Sequence, residues 1–200
     1  TGSPSLDYNL RTFGFPTGIV EVRGESQSGK TTASLMAILQ AAKQYGEKAI
    51  IVILSSERRD NKIYAKQIGI DVNQVLVHRV KTVEDVFNKI HSTIAESKNA
   101  VDEYLAEQVL AEYPKIKKTG DEFKEKMLKQ IDEFGRLRFL FIWDALGQTV
   151  SAQELAKAKQ NAEKGEANQA ALGAAARALG SGLRSVIGLT DEEDMTLFIV

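Results

Sequence analysis

Three short apolar runs constrain the fold of this chain more than any other feature. They are AIIVIL at Ala49–Leu54, FLFIW at Phe139–Trp143 and MTLFIV at Met195–Val200. Runs with almost no polar alternation are the pattern of strands covered on both faces, as in a parallel sheet. Between them lie segments with apolar residues at helical spacing. Lys30 to about Tyr45 brings Leu35, Ile38, Leu39 and Ala42 together, and Val83 to about Ala95 lines up Val83, Val86, Phe87 and Ile90. Gly18–Arg23 and Val75–Arg79 read as further strands, and Ile63–Ile68 as a short helix closed by Gly69. Strand alternating with helix predicts an α/β domain: a mainly parallel sheet flanked by helices. None of the runs approaches the roughly 20 residues that span a bilayer.

Residues 96 to 138 differ in character. They mix both charge signs and lack a strand pattern. Val101, Leu105 and Val109 repeat at i+4, as do Phe123, Met127 and Ile131. Two amphipathic helices broken near Pro114 and Gly120 fit this segment, either as a surface hairpin or as a partner-binding arm. No linker divides the rest, so residues 1–200 read as one core carrying a charged helical insertion at 96–138. The stretch 151–169 reads as loop with some helix, and the Ala-rich 168–188 as helix.

Composition narrows the function classes. Hydrophobic residues make up 43% and charged residues 26%, which excludes a disordered chain. There are no cysteines and only two histidines, so neither a thiolate zinc site nor a histidine-rich metal site is available. The start carries no basic region followed by an apolar core. An intracellular, cytoplasmic location and no membrane partner are the expectation. The net charge of −1 argues against a chain coated in positive charge but leaves room for a local basic stripe.

One motif carries chemistry directly. Gly24-Glu25-Ser26-Gln27-Ser28-Gly29-Lys30-Thr31 matches G-x-x-x-x-G-K-[ST], between a strand and a helix, and Thr32 follows. Such a loop turns its N–H groups onto phosphate oxygens, and the helix N-terminus adds partial positive charge. Lys30 is expected to reach the β- and γ-phosphates of ATP, and Thr31 to ligate Mg²⁺. Asp144 follows five apolar residues, at the C-terminal end of a buried strand, where ligands collect in open α/β sheets. It is the second expected metal residue. Glu57, three residues after AIIVIL, either faces the γ-phosphate or is a surface glutamate.

These residues resemble the RecA family of strand-exchange ATPases. Gly14-Phe15-Pro16-Thr17-Gly18-Ile19-Val20-Glu21 is similar to the family's G-[LF]-P-x-G-x-[IV]-E stretch, and the phosphate loop follows at the expected distance. The resemblance implies a RecA-like P-loop core, with Glu57 acting on the attacking water alongside Lys30. Ser55 stands where the family has an acidic residue. Ile63–Asp71 is similar to the segment whose tyrosine stacks on adenine, so Tyr64 becomes the adenine platform, with Asn61 a polar contact nearby. The plain alternative for Tyr64 is packing on the sheet.

Leu172-Gly173-Ala174-Ala175-Ala176-Arg177 is similar to M-G-L-A-A-R, which follows the family's first DNA-binding loop. Gly173, Arg177, Gly180 and Arg184 fall on one helical stripe, suited to successive phosphates of single-stranded DNA. Leu172, Ala176, Leu179, Leu183 and Ile187 fall on another, expected to be buried. The resemblance implies a homo-oligomer, a helical filament in the full-length protein, and it implies that this chain is trimmed at both ends. The inserted segment points to a divergent, bacteriophage-type member. Two rivals share the core: a hexameric replicative helicase, and a nucleotide-switched regulatory or scaffold ATPase without DNA.

Overall fold

The computed structural model describes residues 1, 3–11, 15–56, 61–164 and 173–200, with backbone alone for 61–62 and 162–164. Five strands form one sheet: β1 (Gly18–Glu21), β2 (Ala49–Ser55), β3 (Val75–Arg79), β4 (Arg138–Asp144) and β5 (Met195–Ile199). Their order is β1-β5-β4-β2-β3 and every pairing is parallel. The chain is α/β, as the apolar runs predict. The helices are α1 (Pro4–Leu10), α2 (Lys30–Tyr45), α3 (Asn61–Ile68), α4 (Val83–Glu112), α5 (Asp121–Phe134), α6 (Ala152–Lys164) and α7 (Ala174–Glu192).

Alternation along each strand divides the buried side chains between two faces. Ile51, Ile53, Leu140, Ile142 and Phe198 meet Leu35, Ala37, Ile38 and Ala41 of α2. Phe139, Phe141 and Trp143 take the other face, with the two phenylalanine rings stacked 6.4 Å apart. The same alternation puts Asp144 on the α2 side, with Leu140 and Ile142. Hence β4, paired on both edges, carries a carboxylate out of the core at its last residue.

The chain divides into two compact units, Thr1–Ile90 with Leu137–Val200, and His91–Arg136. Within the second, Ala106, Val109 and Phe123 are buried, with Tyr113, Ile116 and Met127 packed against them. Lys126 Nζ lies 4.6 Å from the centre of the Tyr113 ring. Ile131, expected to continue the line of Phe123 and Met127, is 40% exposed.

Several sequence expectations change. The helix expected to end near Ala95 continues unbroken for 30 residues. The rise in charge at Glu96 marks a change of surroundings rather than of backbone. No Gly or Pro interrupts 83–112, so nothing stops the helix before Pro114. Its start is fixed by reciprocal bonds: Thr82 N–H donates to Asp85 Oδ2 at 3.0 Å and Asp85 N–H to Thr82 Oγ1 at 3.1 Å. Ser151 and Glu154 make the same exchange before α6, at 2.9 and 3.1 Å, in a stretch expected to be largely loop.

A further correction concerns α7. Leu172 lies outside the described residues; Leu179 and Leu183 are half-buried, whereas Ala176 is exposed and Ile187 is 57% exposed. The buried line instead runs through Ala174, Val186 and Thr190. Its phase is set by Gly182, against which the Phe87 ring packs without room for a Cβ.

Candidate functional site

The glycine-rich turn, Thr31 and Asp144 gather at the C-terminal end of the sheet. After β1, Val22 N–H donates to Ile199 O at 2.8 Å, which holds the chain beside β5 up to the glycine-rich turn. Gly29 then takes φ +90° as the residue before α2. A side chain would be strained in this left-handed conformation, so a glycine here lets the turn feed directly into a helix N-terminus. Gln27 also has positive φ, at 64°. Lys30 folds back over the turn, its Nζ donating to Gly24 O at 3.0 Å and Glu25 O at 2.7 Å.

Thr31 Oγ1 donates to Asp144 Oδ2 at 3.2 Å, joining the first turn of α2 to the end of β4. Asp144 is 4% exposed. Ser56 braces the same corner. Its N–H donates to Asp144 O at 2.9 Å, its hydroxyl to Ala145 O at 2.8 Å, and it accepts from Ala145 N–H at 3.0 Å. The Asp144–Ala145 peptide is cis. Ser26, Gln27, Gly29, Lys30, Thr31, Thr32, Asp144 and Ala145 line a hollow of about 440 Å³. Another hollow, of about 320 Å³, lies by the N-terminal ends of β4 and β5, next to the Arg138–Asp194 ion pair and away from this chemistry.

Among the described residues no three or more His, Asp or Glu side chains cluster as a metal site. The Thr31 hydroxyl and Asp144 carboxylate are an oxygen pair that suits a hard cation such as Mg²⁺, with substrate oxygens and water completing the shell. Exposed Arg23 sits just before the turn and donates from Nε to Glu21 Oε1 at 2.6 Å. That bond, and to a lesser degree the Arg23 charge, holds the Glu21 carboxyl below the usual carboxylate range.

Tyr64 is 39% exposed, and its Oη lies 2.7 Å from Thr32 Oγ1. Asn61 opens the same helix; its side chain, like the whole of Glu57, falls outside the described residues. Arg177 and Arg184 are exposed on α7. Each leans back over a glycine one turn earlier: Arg177 Nη1 is 3.7 Å from where a Gly173 Cβ would be, and Arg184 Nη1 3.8 Å from the equivalent point at Gly180. The end of the expected DNA loop, 166–172, lies outside the described residues.

A family model, the RecA N-terminal domain, fits residues 1–136, which take in β1 to β3 and the glycine-rich turn and end just before β4. The chain belongs to the RecA family. Protein RecA of Chlorobaculum parvum is 34% identical over 122 residues, 60% of this chain and 34% of that protein. Protein RecA of Chloroherpeton thalassium is 37% identical over 122 residues, 60% of this chain and 33% of that protein. For Protein RecA of Leptospira meyeri the figures are 36% over 122 residues, 60% and 30%. The matched segment thus spans about a third of the length of these RecA relatives.

Ser56 is the residue of this RecA-family corner that sequence reasoning does not single out. Its signal is faint: a small hydroxyl residue just after a strand, next to a more conspicuous glutamate.

Proposed function

We propose that this chain is the ATPase core of a DNA recombinase, binding ATP with Mg²⁺ and single-stranded DNA. In its full-length form it assembles as a helical filament in the cytoplasm for homologous strand exchange and DNA repair. The observation that carries this reading is the meeting of Thr31 and Asp144 at 3.2 Å beside the Gly24–Thr31 turn. Two residues 113 positions apart in sequence converge where a metal-bound triphosphate would need them. Family membership supports the rest, and the names of the relatives point to the same class.

In this reading the backbone N–H groups of the turn hold the phosphates, and Lys30 leaves the Gly24 and Glu25 carbonyls to neutralise them. Thr31 and Asp144 hold Mg²⁺, which when bound neutralises charge on the transferring phosphoryl group. Glu57 orients water, while Tyr64 and Asn61 hold the adenine. Gly173, Arg177 and Arg184 meet the DNA backbone. The two arginines are two helical turns apart, about 10 Å, and both are exposed.

The test is ATP hydrolysis by the full-length protein with and without single-stranded DNA, with electron microscopy of the ATP-bound complex. Hydrolysis stimulated by DNA, with helical filaments, is expected. Hydrolysis indifferent to DNA overturns the DNA half of the reading, and ring-shaped particles that unwind duplexes overturn strand exchange.

A further inference from the structure

Trp143 and Asp144 are consecutive on β4 and point to opposite faces of the sheet. Asp144 faces α2 and Thr31. Trp143, fully buried, meets Phe87 of α4 edge to face, with ring centroids 5.8 Å apart and planes at 85°. The Phe87 ring in turn fills a notch in α7, where a Cβ on Gly182 would overlap its Cδ2, Cε2 and Cγ atoms. At 100° per residue, Gly182 lies on the side of α7 opposite the stripe of Gly173, Arg177, Gly180 and Arg184.

Trp143 is a costly choice for this position. Its Nε1–H is buried and has no hydrogen-bond partner among the described residues. An all-carbon ring would avoid that orphaned donor.

We propose that Phe87, wedged between Trp143 and Gly182, is a positioning residue that couples the nucleotide pocket to the arginine face of α7. The inference rests on the functional reading above, in which Asp144 serves the nucleotide and α7 the DNA. Thr31 is bonded to Asp144, the β4 backbone joins Asp144 to Trp143, and ring contacts run from Trp143 through Phe87 to Gly182. A close-packed interior transmits displacement rather than absorbing it. When Asp144 shifts to meet a ligand, the adjoining Trp143 shifts with it. Phe87 has no clearance at Gly182, so α7 follows. Coupling of this kind is reciprocal: nucleotide changes DNA affinity by the same factor as DNA changes nucleotide affinity.

The experiment measures both affinities, each with and without the other ligand, using a slowly hydrolysed ATP analogue with Mg²⁺ and oligo(dT). It compares the unmodified protein with Phe87→Leu, Gly182→Ala and the double variant. A factor of about tenfold in both directions is expected for the unmodified protein, falling below about threefold in each single variant. Each ligand measured alone keeps its affinity within about twofold. In the double variant leucine still carries a Cγ and a Cδ where the added methyl would sit, so the coupling stays below about threefold. A purely structural role would lower thermal stability and leave the coupling factor alone. Single variants with the unmodified factor overturn the relay. An unmodified protein that binds only one of the two ligands, or neither, overturns the functional reading itself. Phe87→Leu carries the test alone if Gly182→Ala does not fold.

Discussion

Tyr64 Oη lies 2.7 Å from Thr32 Oγ1, so the aromatic ring on α3 is tied to the first turn of the helix that follows the glycine-rich turn. A ring that is 39% exposed is thereby held beside Thr32, which itself lines the hollow, by a bond of its own edge. Thr32→Val and Tyr64→Phe each remove the same bond. In a double-mutant cycle followed by urea unfolding, we expect a coupling of about 0.5–1.5 kcal/mol. A coupling near zero would show that the pair touches without stabilising.

Lys30→Ala removes the cation that rests on the Gly24 and Glu25 carbonyls. Nucleotide binding and hydrolysis should be lost, while far-ultraviolet circular dichroism stays that of the parent. Hydrolysis at the unmodified rate would dismiss the phosphate-loop assignment.

Asp144→Asn keeps the shape of the side chain beside Thr31 and deletes its charge. The expected outcome is a weakened dependence of nucleotide binding on Mg²⁺, with binding in the absence of metal little changed. A magnesium titration monitored by calorimetry decides this. An unaltered titration curve would take Asp144 out of the metal site.

Arg177→Ala combined with Arg184→Ala should weaken single-stranded DNA binding at every sequence. Each arginine neutralises one phosphate, so removing both lowers the slope of log K against log salt by about 1.4 on a single strand. Fluorescence anisotropy at several salt concentrations reads this slope. The same slope in parent and variant would remove both arginines from the DNA surface.

Phe123→Ala empties the centre of the small cluster formed with Ala106 and Val109. A loss of about 3 kcal/mol is expected within the unit His91–Arg136. Hydrogen exchange should quicken in peptides from that unit and stay slow in the strands. Uniform quickening along the chain would mean that the two units unfold together.

Much of the architecture is legible because covered strands announce themselves. AIIVIL and FLFIW have no polar alternation, and both are strands paired on both edges. The break between α4 and α5, with Pro114 after one helix and Gly120 before the next, is legible from local residues too. What escapes prediction depends on distant contacts. The rotation of α7 is decided by the Phe87 ring fitting against Gly182, and no periodicity in 173–192 records a ring from another helix. The length of α4 is obscured by the change in charge composition at Glu96, although helix continuity depends on backbone-compatible residues. In the site, Thr31 and Asp144 can each be picked out by motif and by strand position. The bracing by Ser56 cannot, since it joins side chain and backbone atoms 89 residues apart.

The span between Thr31 and Asp144 has a further meaning for the chain's tolerance of change. Their contact closes a loop of 113 residues, and His91–Arg136 accounts for about 46 of them. Closure entropy grows only with the logarithm of loop length, so those residues add about 0.5 kcal/mol to the cost of bringing the two side chains together. A hairpin at this point could be lengthened, exchanged or deleted with little penalty to the contact. The interval after the base of α4 is therefore ground on which descendants of this chain can try new sequence while the pairing of hydroxyl and carboxylate goes on unchanged.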